Sequence, residues 1–287
     1  MFRVVRGWLV LADTARASST HLTTPTRNKI MYEKTPFDLH GRSALVTGGS
    51  RGLGKEMARI LAQAGAEVVI CGRTESTARD SAAAIARETS ARVEALVADV
   101  GRRPQAERLA REAVERLGKV DILISNAGWN IPQPVDAIRD EDWDALLELN
   151  VTSSMVLTRA LAPGMKERRW GRIIYTSSIM ALASTPDRVA YSATKAALHG
   201  MAKANALHLG PFGITVNCLA PGPFATEMPM SILSDEQKKR FADRTALGRW
   251  AQPAELAPVA LLLASDAGGY ITGSVLVVDG GVTIRMF

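Results

Sequence analysis

The chain has 287 residues, 47% of them hydrophobic and 22% charged, with 23 glycines. That length and balance suit one large sheet-and-helix core and exclude a disordered or fibrous chain. The net charge is +6, but residues 1–30 hold five Lys or Arg against one acid, so most of the excess lies outside the expected fold and gives no ground for a nucleic-acid partner.

Residues 1–40 differ from the rest. They are rich in Arg, Ser and Thr and show no sustained period. Their one apolar run, Trp8 to Ala12, is far too short to span a bilayer and is not followed by a secretory cleavage signal. The composition is that of a mitochondrial transit peptide, or else Met31-Tyr32-Glu33 is the true start. The expectation is a dispensable extension, flexible or not native, before a single domain over 41–287. A cytoplasmic location goes with that, or a mitochondrial one if the leader is genuine.

From Ser43 onward, β-branched runs alternate with helical stretches. Strands are predicted at 44–47, 67–71, 93–97, 121–125, 172–177, 215–219 and 274–279. Helices are predicted at 52–64, 74–89, 104–117, 141–168, 191–209 and 253–265. Pro104 and Pro253 stand where a proline suits the first helical turn. Strict alternation with continuously apolar strands predicts a doubly wound, Rossmann-type α/β fold, a seven-stranded parallel sheet covered on both faces. Cys71 and Cys218 both lie in strand runs, which implies a reducing compartment. The four histidines show no ligand spacing, so no metal site is expected.

Directly after the first strand comes Thr47-Gly48-Gly49-Ser50-Arg51-Gly52-Leu53-Gly54. Glycines there let the backbone approach a pyrophosphate, and the following helix offers N–H donors and a partial positive charge. The end of the second strand selects the dinucleotide. A site preferring NAD places an acid there for the ribose 2′-hydroxyl; this chain has Gly72-Arg73, with Arg51 on the glycine loop. Two guanidiniums and no carboxylate favour a 2′-phosphate, so NADP is expected before NAD.

Farther along, Ser178 ends an apolar strand, and Tyr191 and Lys195 follow on a predicted helix, four residues apart and so on one face. A free tyrosine titrates near ~10; one positive charge about 4 Å away, at an effective dielectric of ~20, supplies roughly 4 kcal/mol towards the phenolate. Chemically this is a phenol that exchanges a proton, an ammonium beside it, and a hydroxyl that holds a substrate oxygen. Taken alone, Tyr-x-x-x-Lys also fits an amphipathic surface with a snorkelling lysine.

The order of motifs resembles the short-chain dehydrogenase/reductase family over residues 41–287. Its Thr-Gly-x-x-x-Gly-x-Gly stretch stands as Thr47, Gly48, Gly52 and Gly54, and its Asp-Val pair as Asp99-Val100. Its Asn-Asn-Ala-Gly stands as Ser125-Asn126-Ala127-Gly128, with the first Asn replaced. Asn150, the set Ser178, Tyr191 and Lys195, Pro221-Gly222 with Thr226, Tyr270-Ile271-Thr272-Gly273 and Val278-Asp279-Gly280-Gly281 complete it. The resemblance implies an enzyme that exchanges hydride with a small carbonyl or alcohol, using no membrane. Tyr191 would move the proton, Lys195 would tune it and hold the nicotinamide ribose, and Ser178 would hold the substrate oxygen. Asn150 would hold a water, and Thr226 would hold the carboxamide. Residues 48, 50–54, 73, 99–100, 126–128, 221–222 and 226, together with Tyr191 and Lys195, would line the cofactor. It also implies a homodimer or homotetramer paired through 141–168, 191–209 and the last strand. Ser125 is expected to alter only local sheet-edge bonding.

For substrate, the pattern is most similar to 3-oxoacyl-carrier-protein reductases and gluconate 5-dehydrogenase-like enzymes. Of the two arginines that grip an acidic carrier in the former, only Arg169 matches; the second position is Phe212. His208 stands where these relatives usually have Glu. A lid over 226–244 is expected to present Met228, Met230, Ile232, Leu233 and Phe241, with Trp129 and Trp143 near its mouth. Arg249-Trp250 is reminiscent of the gluconate type. A dinucleotide-binding protein without catalysis is the alternative reading.

Overall fold

A computed structural model describes residues 35–284; residues 1–34 of the expected extension, with the alternative start at Met31, lie outside the described residues, and Leu39 in its remainder is buried in the core. Seven strands, β1 (Ser43–Thr47), β2 (Glu67–Gly72), β3 (Val93–Val97), β4 (Ile122–Ser125), β5 (Gly171–Thr176), β6 (Ile214–Pro221) and β7 (Val275–Val278), form one sheet in the order β3-β2-β1-β4-β5-β6-β7. Every pairing is parallel. The strands are short and nearly all apolar because helices cover both faces.

Alternate residues divide between two cores. Leu45, Val69, Leu123 and Ile173 face one layer, built by α3 (Arg103–Leu117), α5 (Ser153–Arg168) and α6 (Val189–Leu209). Ala44, Val46, Ile70 and Ile124 face the other, built by α1 (Gly52–Gln63), α2 (Glu75–Thr89) and α9 (Ala257–Ala264). Strand order reverses between β1 and β4, both paired to one another. At such a switch point the connecting loops diverge and leave a crevice beyond the strands' carboxyl ends.

Three local departures from the sequence reading concern the site. The single helix expected over 141–168 is α4 (Asp140–Leu147) joined to α5 by one π turn, Glu148–Thr152. The last expected helix opens with a 3₁₀ turn, Pro253–Glu255, before α9. The expected lid is itself helical: α7 (Glu227–Ile232) and α8 (Asp235–Arg244), the latter started by a capping box between Ser234 and Gln237.

Candidate active site

β1 ends in Thr47, whose buried hydroxyl accepts the N–H groups of Asn126 and Ala127, both at 3.0 Å. Asn126 returns its Nδ2 to the carbonyl oxygens of Thr47 at 3.0 Å and Gly48 at 3.3 Å. The first crossover loop is thereby stitched to the end of β4. Gly48 has φ +63, and a Cβ on Gly54 would stand 2.2 Å from the Gly48 carbonyl oxygen, so only glycine fits this close crossing. Arg51, at the helix's N-cap, gives no side-chain cap, which leaves the first-turn N–H groups of α1 directed at the crevice.

This cradle fits a dinucleotide's phosphates. Ser50 anchors it, its carbonyl accepting the Ser81 hydroxyl at 2.6 Å, and Leu53 packs on the adjoining core. A Cβ at residue 72 would lie 2.9 Å from Ser50 Oγ, so Gly72 keeps the floor open beside it. Arg51 and Arg73 are exposed and form no ion pair with any described residue. After β3, Asp99 accepts the Gly101 N–H at 3.1 Å and stands 3.7 Å from Arg102, with Val100 buried behind it. Across the crevice, Gly222 donates its N–H to Val278 at 2.9 Å, and a Cβ there would meet Asp279 Cα at 2.6 Å. Pro221 is the buried last residue of β6. Thr226 stands at the N-cap position of α7 without a side-chain cap bond, and its methyl would stand 3.4 Å from a Cβ on Gly52, so the base of the lid overhangs the glycine loop.

Ser178, Tyr191 and Lys195 converge beyond β5. Tyr191, half-buried, hydrogen-bonds Ser178, and Ser178 Oγ accepts the Met180 N–H at 3.1 Å. Lys195 is buried; its Nζ donates to the Thr176 carbonyl at 2.7 Å and lies 5.6 Å from the Tyr191 ring centre. A Cβ on Gly128 would come within 3.2 Å of that Nζ and 3.1 Å of Asn150 Oδ1. Glycine at 128 therefore makes the room in which the lysine and the amide lie side by side.

Asn150 sits inside the π turn, the wider backbone that lets its side chain reach inward. Its Nδ2 donates to the Trp129 carbonyl at 2.9 Å and to Thr194 Oγ1 at 3.0 Å, while Oδ1 accepts the Trp129 N–H at 2.9 Å. Thr194 in turn donates to the Tyr191 carbonyl at 2.8 Å. Thr194 was not singled out by the sequence reading, although its place three residues after Tyr191 on one helix was a usable signal.

The electrostatics refine the expectation for the phenol. Burial raises the Tyr191 pKa above its ordinary value, opposed by the Ser178 hydrogen bond and the positive charge of Arg188. Burial also lowers Lys195 from 10.5 to about 8. Two groups that resist charge in a dry place are a poised proton donor and a costly cation, which suits acid–base work. Burial pushes the thiols of Cys71 and Cys218 up to about 12, so both are inert.

Some expected substrate contacts are committed elsewhere. Phe241 packs edge-on against Trp250 at 5.4 Å, and Trp250 Nε1 donates to the Lys238 carbonyl at 2.8 Å; together they seat α8. Arg249 is held by Glu255 at 2.6 Å. Arg169 is exposed, donating to the Pro211 carbonyl at 2.9 Å, and the Phe212 ring takes Lys166 Nζ at 4.9 Å. The hydroxyl of Ser125, expected to act in sheet-edge bonding, instead pairs with Ser154 Oγ on α5 at 2.8 Å, because β4 lies inside the sheet. The side chains at 228 and 232 lie outside the described residues.

Residues 48–283 match a family model described as enoyl-(acyl carrier protein) reductase. The chain is 38% identical over 255 residues to a gluconate 5-dehydrogenase of Gluconobacter oxydans, covering 87% of this chain and 98% of that protein. It is 34% identical over 244 residues to a 3-oxoacyl-(acyl-carrier-protein) reductase of Aquifex aeolicus, covering 85% and 98%. A crystal structure of a gluconate 5-dehydrogenase from Burkholderia cenocepacia, in complex with NADP and tartrate, superposes with a TM-score of 0.82 at 36% identity, covering 88% of this chain and 98% of that one. Fold, motif order and likeness agree, and the chain belongs to the short-chain dehydrogenase/reductase family of oxidoreductases.

Proposed function

We propose that the protein is an NADP(H)-dependent oxidoreductase that interconverts a ketone and a secondary alcohol, with a 3-oxoacyl or sugar-acid type of substrate. The observation that carries this reading is the hydrogen-bonded Tyr191–Ser178 pair standing over the buried Lys195, beside the glycine cradle. Gly48, Ser50, Arg51, Gly52, Leu53 and Gly54 would hold the phosphates, and Arg73 with Arg51 the 2′-phosphate. Asp99 and Val100 would border the adenine; Asn126, Ala127, Gly128, Pro221, Gly222 and Thr226 would line the nicotinamide half. When bound, that cofactor supplies or takes the hydride.

The chain's own residues do the rest. Ser178 donates to the carbonyl oxygen and stabilises charge developing there. Tyr191 gives the proton in reduction and takes it back in oxidation. Lys195 passes a proton back to the phenol and would regain it from a water held on the remaining lone pair of Asn150 Oδ1.

Nicotinamide absorbance followed with β-ketoesters, diketones and sugar acids tests the reading. Consumption of NADPH by one of these classes is the expected result. Firm NADPH binding with no consumption by any of them would instead indicate a binding protein of the same fold. For cofactor choice, Arg73→Asp removes a guanidinium from the 2′-phosphate and adds a repelling charge. The ratio of kcat/KM for NADP over NAD is expected to fall at least about 30-fold; an unchanged ratio would remove Arg73 from the site.

A further inference from the structure

Arg188 stands at the N-cap of α6, three residues before Tyr191, a spacing that brings both side chains to one side of the first turn. Its Nη1 is buried and makes no hydrogen bond, and it has no acid partner among the described residues. A charged donor withdrawn from water and left unpaired is unfavourable, so the position calls for an acceptor. The loop after β4, tied to residue 187 by a backbone hydrogen bond, holds a second unpartnered group. Asn130 Oδ1 is also buried without a partner. Asn130 lies between two anchors: Trp129 is fixed on both backbone groups by Asn150, and the Gln133 N–H donates to the Asp187 carbonyl at 3.1 Å. An unpaired cationic donor and an unpaired neutral acceptor therefore lie on two loops tied together beside the phenol.

We propose that Arg188 anchors a carboxylate of the substrate, while Asn130 Oδ1 accepts a hydroxyl next to it. The guanidinium's planar fork matches a carboxylate, and its weak hydration suits a half-dry position. An acyl thioester presents no anion there, whereas a hydroxy or keto acid presents both groups. The inference rests on the oxidoreductase reading and narrows it to the sugar-acid class. Arg188 also places a positive charge within reach of the Tyr191 phenol, so substrate carboxylate and phenol share one cation.

Tartrate is a suitable probe, titrated calorimetrically into the NADPH-bound protein. Wild type is compared with Arg188→Met and Arg188→Lys, alongside kcat and KM for a sugar acid and for an uncharged diketone. Tartrate affinity is expected to fall roughly 30-fold in the Met variant and to recover in part in the Lys variant, which keeps charge but not the fork. KM for the sugar acid is expected to rise by a similar factor more than KM for the diketone. Failure of wild type to bind tartrate, equal tartrate binding by all three proteins, or equal losses on acid and diketone would each overturn the anchor. Arg188-dependent tartrate binding without turnover of any substrate would uphold the anchor and refute the oxidoreductase reading. The Lys variant keeps the comparison open should the Met variant not fold.

Discussion

Lys195→Met is expected to make the protein more stable and to stop it working. The ammonium is buried, and its pKa falls from 10.5 to about 8. Below pH 8 both the folded and the unfolded chain carry the proton, and the folded state bears the whole cost of holding the charge away from water. Between pH 8 and 10.5 the unfolded chain binds more protons, so stability rises with pH across that window. A shift of this size corresponds to about 3 kcal/mol. Loss of the hydrogen bond to the Thr176 carbonyl takes back about 1 kcal/mol. The net gain of roughly 2 kcal/mol at pH 7 should lift the thermal midpoint by about 5 °C, and the rise of stability between pH 8 and 10 should vanish. Meanwhile kcat/KM should fall at least about 100-fold. A midpoint that drops, or a pH dependence like that of wild type, would show that the buried cation is not destabilising. The general form is familiar: a site that needs a charge in a dry place costs stability elsewhere in the fold.

The architecture was legible because α/β order leaves a strong trace. Five- and six-residue apolar runs alternate with helical periods, and the order of motifs fixed which loop follows which strand. The cradle was legible too, since Gly48 and Gly54 are demanded by backbone crossings that no other residue permits. What escaped the sequence depends on side chains meeting across elements distant in the chain. Asn150 reaches Thr194 through a π turn that no periodicity announces in a helix of otherwise ordinary composition. Phe241 reads as a lid apolar residue, yet its ring is engaged by Trp250. Lys195 was expected to depress its phenol. Burial instead raises the Tyr191 pKa, and Arg188 opposes that rise, a role that depends on a loop conformation invisible to spacing alone.

Tyr191→Phe removes one oxygen and is expected to have the largest effect on turnover. The phenyl ring keeps the shape of the site, and the glycine cradle is untouched, so NADPH affinity should stay close to that of wild type. Ser178 can still polarise the carbonyl, but no other described hydroxyl beside it sits over a buried ammonium; general acid–base groups of this kind contribute about 100- to 10,000-fold. The loss should fall on kcat more than on KM, because the proton moves only in the transition state. The decisive measurement is the single-turnover decay of nicotinamide absorbance, with NADPH already bound and a responsive ketone added to wild type and Tyr191→Phe. The account predicts equal binding amplitudes and a decay slowed by at least about 100-fold in the variant. Decay at the wild-type rate would mean that the proton comes from another group, and the Tyr191–Ser178–Lys195 reading would be wrong.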